Sequence, residues 1–167
     1  NKTVIIENCH FKSGSDFLQL SGHYDGNGNY DISRIQLAHN DNYLINADPI
    51  NFSYQDSVLN VKPFEFHIND GVLEGVISST SRNEGRFKMS NFDANIITQI
   101  LRDERLKFSG LIFGEIWIGY ENNDLNMDAD ISLKKGTYMN EKFDEMTLSC
   151  LYKNGILSID DISMARK

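Results

Sequence analysis

The sequence predicts a mainly β fold, an antiparallel meander with one dry face and one wet face. Three observations carry that expectation. The first is period two: in "DLNMDADISL", residues 124–133, Leu125, Met127, Ala129, Ile131 and Leu133 fall on one face. Asp124, Asn126, Asp128, Asp130 and Ser132 fall on the other, the alternation of a half-buried strand. The second is turn chemistry spaced between such runs, at Asn69-Asp70-Gly71, Asn83-Glu84-Gly85, Lys135-Gly136 and Asn154-Gly155. Asn-Gly and Asp-Gly tolerate positive φ and are the strongest short hairpin signals. The third is a weak repeat, "YQDSVLNV", "INDGVLEG" and "YKNGILSI", each read as strand, tight turn, strand.

The elements follow along the chain. Leu18, Leu20 and Tyr24 alternate with Gln19, Ser21 and His23. Ile50, Phe52 and Tyr54 alternate with Asn51 and Ser53, and Phe64, Phe66 and Ile68 with Glu65 and His67. Leu59 and Val61 have the opposite parity from Phe64 and Phe66, with Pro63 between them, so a bulge there turns the apolar face back inward. Met146, Leu148, Cys150 and Tyr152 form the last clear run, Leu151 being its exception. One segment breaks the period. Phe92, Ile96, Ile97, Ile100 and Leu101 make a helical stripe, which predicts one short amphipathic helix near 93–103 covering an end of the sheet. Ser90 followed by Asp93 reads as a capping-box variant, with Arg102 and Arg105 at the favourable end of the dipole.

Length and composition set the frame. The 167 residues fit a single β domain, 1–167, and a start at Asn1-Lys2 without Met reads as a fragment of a longer protein. A formal net charge of −8 argues against nucleic acid and anionic membrane surfaces, which call for basic patches. No apolar run approaches the roughly 20 residues of a spanning helix. Two cysteines, Cys9 and Cys150, leave the redox compartment and their pairing open.

Motifs for chemistry are sparse. "YDGNGNYD", residues 24–31, offers Asp25, Asn27, Asn29 and Asp31 as oxygen ligands. A calcium loop counted from Asp25 wants Gly at its sixth place and Glu at its twelfth, where Tyr30 and Gln36 stand. The stretch reads instead as the turn between a strand ending at Tyr24 and one beginning at Tyr30, and no metal ligand is assigned. His10, His23, His39 and His67 lie on different strands without ligand spacing. No G-x-S-x-G, Walker loop or H-E-x-x-H occurs. Asp128 and Asp130, about 6.6 Å apart along one strand face, fit a solvated face better than an acid–base pair. The residues therefore predict no enzyme, no catalytic residue and no cofactor.

From Leu106 to Met164 the sequence resembles the repeat-rich region of the TamB family, in the wider AsmA-like group. The resemblance rests on Ser109-Gly110 entering a strand, the run Gly114 to Gly119, the alternation Leu125 to Leu133, and Gly136. "F-D-x-M" at Phe143 to Met146 and "Y-x-N-G-x-L-x-I" at Tyr152 to Ile159 complete it. The first half follows the same grammar more loosely. One departure is Glu121-Asn122-Asn123, where family members often carry Asn-Pro.

The resemblance implies a long sheet folded lengthwise into an open groove, a β-taco, apolar inside and polar outside. It implies a periplasmic protein anchored in the inner membrane of diderm bacteria, active in lipid transport and outer-membrane biogenesis. Its partners would be phospholipid acyl chains and, through the full-length chain, a TamA-like or other outer-membrane barrel-assembly protein. Joined to the alternation, it predicts a lipid-binding hydrophobic groove whose floor includes Phe52, Phe64, Phe66, Ile116, Ile118, Met127, Ile131, Leu148 and Ile159. A closed β-sandwich would alternate identically. A carbohydrate-binding or adhesive β module is the other alternative. It wants aromatics on the outer parity, which Trp117 has and most others do not.

Overall fold

The computed structural model describes residues 3–39, 42–56, 58–79, 83–96, 108–121, 124–138 and 141–166. Twelve strands run through them: β1 (Val4–Ser13), β2 (Asp16–Tyr24), β3 (Asn29–His39), β4 (Asn42–Asn46), β5 (Ile50–Gln55) and β6 (Val58–Ile68), then β7 (Gly71–Ser78), β8 (Asn83–Asp93), β9 (Phe108–Glu121), β10 (Asp124–Tyr138), β11 (Glu141–Lys153) and β12 (Ile156–Ala165). The fold is mainly β, an antiparallel meander, as the period-two runs require. Two compact units divide the chain, residues 1–85 and 86–167.

In the first unit the strand order is β1-β2-β3-β4-β6-β7. β4 and β5 share the span between β3 and β6. Gln36 to His39 of β3 pair with β4, and Asn29 to Ile32 pair with β5. In the second unit the order is β8-β9-β10-β11-β12, with β8 belonging to it from Arg86 on.

The turns follow their residues. Lys153 pairs with Ile156, so Asn154-Gly155 is a two-residue hairpin loop, and both residues have positive φ, 54° and 74°, as a type I′ turn demands. Ile68 pairs with Gly71 across the two-residue loop Asn69-Asp70, in which Asn69 has positive φ, 52°, and Asp70 does not. Two expected turns are strand instead. Lys135-Gly136 lies inside β10, where Lys135 at φ 51° accompanies a register shift against β9, making a bulge. Asn83-Glu84-Gly85 opens β8, because pairing outweighs local turn preference.

Four further bulges decide which way side chains point. In β1 the register shifts between Ile6 and Cys9, and in β6 between Val61 and Phe64. Between Ser21 and His23 the shift falls on the β2–β3 pair, and between Ser149 and Cys150 on the β11–β12 pair. Val61 and Phe64 pair with Ile77 and Gly75, which are two apart on β7 and so share a face. The Pro63 bulge therefore does what the sequence predicts. The same reasoning puts Ile6 with Cys9, Ile32 with Ile35, and Ile159 with Ile162.

The predicted helix near 93–103 is met only at its start. β8 continues through Phe92 and Asp93, and residues 94–96 form a helical turn. The remaining residues of the prediction, 97–103, lie outside the described ones. Ser90 sits within the strand, so the cap is Asp93: its Oδ1 accepts the Asn95 backbone N–H at 2.9 Å, the geometry of an N-cap to N2 bond. Phe92, Ala94 and Ile96 are buried there. Among the described residues no helix is long and apolar enough to cross a membrane.

Candidate functional site

In the second unit the apolar parity assembles into aligned rows. Ile118, Met127, Tyr152 and Leu157 stand opposite one another across β9, β10, β11 and β12. So do Ile116, Ala129, Cys150 and Ile159, then Gly114, Ile131, Leu148 and Ile162, then Ile112, Leu133, Met146 and Met164. Six of the predicted groove residues (Ile116, Ile118, Met127, Ile131, Leu148 and Ile159) thus share one face. The opposite face is polar along Glu115, Asp130, Ser149 and Asp161. Ser149 Oγ donates to Asp130 Oδ1 at 2.5 Å there, and Lys134 pairs with Glu145 at 3.4 Å. Trp117 lies on this polar face opposite Asp128.

The first unit builds a second apolar face. One row runs Val4, Tyr24, Tyr30, Phe52, Val61, Ile77 across β1, β2, β3, β5, β6 and β7. Another runs Phe11, Leu18, Leu37, Leu44, Ile68, Gly71. Phe64 and Phe66 fall between them, ring centroids 5.6 Å apart and edge-on. Tyr24 and Tyr30 stack at 4.7 Å, Tyr30 and Phe52 at 4.5 Å with an interplanar angle of 2°. Those spacings match the separation of neighbouring strands, so each ring stands upright from its own strand. Such pairs add about 0.5–1.5 kcal/mol each beyond the area they cover.

Burial separates floor from open surface. Ile112, Ala129 and Leu133 are buried at 4%, 3% and 5% exposure. Phe52, Phe64, Phe66, Ile116, Ile118, Met127, Ile131 and Leu148 are only half-buried, and Ile159 is 58% exposed. No large side chain among the described residues is fully buried. A closed core in a chain of this length normally encloses several large aliphatic or aromatic side chains completely.

A concavity of about 350 Å³ opens on the first unit's face. Its walls are the side chains of Val4, Ile6, Leu20, Tyr24, Tyr30, Ile32 and Phe52. Gly22 lies at the floor, and the register places His23 and Asp31 opposite each other on the other face. A Cβ on Gly22 would come within 2.6 Å of the Asp31 carbonyl oxygen, so the position admits only glycine. Reading the sequence alone found Phe52 but missed Tyr24, Tyr30 and Ile32 as its neighbours in space.

The Asp25 loop is a turn built from its own carboxylate. Asp25 Oδ1 accepts the backbone N–H groups of Asn27 and Asn29 at 2.7 and 3.1 Å, and Oδ2 accepts the Asn29 side-chain amide at 2.7 Å. Gly28, at φ +90°, lets its carbonyl accept the Tyr54 N–H at 2.7 Å. Among the described residues no three His, Cys, Asp or Glu side chains are placed to hold a metal ion. Cys9 and Cys150 are both free thiols, one exposed and one buried.

The Asn29 side-chain bond, followed by the Asn27 backbone bond, holds the Asp25 carboxyl below its ordinary range. A depressed carboxylate contributes order that is full above the ordinary carboxylate pKa and is lost as pH falls through the depressed value. The amide resonances of Asn27 and Asn29 should therefore stay put on acidification until below that range and then move together. In Asp25→Asn they should not follow pH. The melting temperature should be equal in calcium and in chelator; a calcium-dependent rise would reveal a native-state ligand set instead.

Compared with protein-family models, with curated proteins and with solved structures, the chain finds no match.

Proposed function

We propose that the chain is a segment of a TamB-like protein whose apolar faces bind phospholipid acyl chains and conduct them between inner and outer membranes. The observation that carries this reading is the exposure of the apolar rows. Rows of aliphatic and aromatic side chains run from strand to strand in each unit, and Val4, Ile6, Phe11, Leu37, Leu157, Ile159, Ile162 and Met164 within or beside those rows are exposed. Exposed apolar patches of this extent mark a binding surface. Each methylene buried against such a face gains about 0.8 kcal/mol. The contact is non-directional, so a chain can slide along the rows without a fixed barrier. Catalysis has no place in this reading. The full-length protein is taken to be anchored in the inner membrane, to reach through the periplasm and to meet an outer-membrane barrel-assembly partner.

Photo-crosslinkers at Phe66 and Ile131, one in each unit, test it directly. Both positions should capture phospholipid in living cells. Capture at neither removes the conduit. Glycan binding by lipid-free protein would favour the carbohydrate-binding module, with Trp117 on the outer parity as its first candidate.

A further inference from the structure

We infer that the concavity over Gly22 is a seat for one acyl chain of a phospholipid, so that the first unit holds lipid at a fixed place and does more than offer a surface to slide on. The inference rests on the lipid reading above and adds a defined site to it. Three features of the concavity argue for a built seat. Its floor lies low because Gly22 carries no side chain, and the crowding of the Asp31 carbonyl against any Cβ keeps it so. One wall is rigid, since Tyr24, Tyr30 and Phe52 stand upright and brace one another through two ring stacks. The remaining walls are the aliphatic side chains of Val4, Ile6, Leu20 and Ile32.

The chemistry of the lining selects the occupant. The side chains on this face carry no charged group, since the register sets His23 and Asp31 on the other face. A sugar or an anionic headgroup would be stripped of water there without a compensating hydrogen bond. At about 350 Å³ the space lies at the small end of ligand pockets, which run from roughly 300 to 1,000 Å³. It suits one flexible hydrocarbon chain and is too narrow for a protein helix, about 10–12 Å across with its side chains. The second chain of the same lipid can then lie along the neighbouring apolar rows.

A tryptophan reporter separates this seat from the general face. Phe52→Trp in a Trp117→Phe background places the indole in the rigid wall, and Ile131→Trp in the same background reports on the second unit. Each full-length chain is titrated with vesicles of phosphatidylcholine brominated at mid-chain, and separately with a free brominated fatty acid. Phospholipid should quench the reporter at position 52 with a saturable, one-site curve. Tyr30→Ala should weaken that binding roughly tenfold while leaving the reporter at position 131 unchanged. Quenching at 131 without quenching at 52 overturns the seat and leaves the conduit standing. Non-saturating quenching at 52 overturns the seat as well, because it marks simple partition. Quenching by the fatty acid alone overturns the phospholipid assignment, and none at either position overturns both readings.

Discussion

Met127→Arg is expected to leave the protein folded and to stop lipid movement, whereas Leu133→Arg is expected to unfold the second unit. The two residues lie on the same face of β10, six positions apart, and differ in what surrounds them. Met127 is half-buried, in a row that ends at Leu157 with 57% exposure. A long arginine there can lay its stem along the row and lift its charge to water. Leu133 is 5% exposed beside Ile112 at 4%, and an unpaired charge at that place costs several kcal/mol. Thermal melting reads the first half of the prediction. Outer-membrane integrity in cells carrying the variants in the full-length chain reads the second. If Met127→Arg unfolds like Leu133→Arg, the face is a sealed core and the conduit fails. A folded Met127→Arg with normal function removes Met127 from the path.

How much of this was legible in the residues is best seen at the bulges. The alternation in "DLNMDADISL" defines β10, and from Met127 to Leu133 its dry face, but it fails at its start, where Leu125 is 46% exposed and Asn126 is buried. The bulge at Pro63 was equally readable, because proline marks the place where the parity changes. Three other bulges carry no proline: Ile6 to Cys9, Ile32 to Ile35 and Ile159 to Ile162. Each shows the same signal, an apolar spacing of three where two is expected, and that spacing is the trace a reader can search for. Read without it, each strand changes face midway. The aromatic wall was hidden for another reason. Tyr24 and Tyr30 face each other across the β2–β3 hairpin, but Phe52 joins them only because β5 takes over from β4 as the partner of β3, and that exchange is a property of pairing, not of any local run. Lys135-Gly136 misled as a turn because a positive φ serves a bulge inside a long strand equally well.

The same exchange of partners produces the other large expected effect, in the first unit. Asn46→Leu should destabilise that unit by about 3 kcal/mol or more, since it strips partners from three backbone groups at once. Between the part of β3 that pairs with β4 and the part that pairs with β5, residues 33–35 lack a partner strand on that side. The Asn46 side chain fills the gap. Its Oδ1 accepts the Ile35 N–H at 2.7 Å, and its Nδ2 donates to the Ser33 carbonyl at 3.3 Å and the Asp48 carbonyl at 2.9 Å. At 7% exposure little water can replace those bonds. Leucine keeps the branched shape and is the larger side chain, so no cavity opens and the loss is traced to the orphaned polar groups. Asn46→Asp keeps the acceptor but loses both donated bonds and adds a buried charge, so it should be no milder. Urea unfolding gives the magnitude, and hydrogen exchange gives the place: protection should fall at the Ile35 amide and its neighbours in β3 while amides of β10 and β11 keep theirs. A change below about 0.5 kcal/mol, the scatter of ordinary surface substitutions, would mean that water or a strand shift supplies what Asn46 does. A polar residue on an otherwise apolar parity, as Asn46 is after Leu44, is thus the sequence's mark of a strand changing partners.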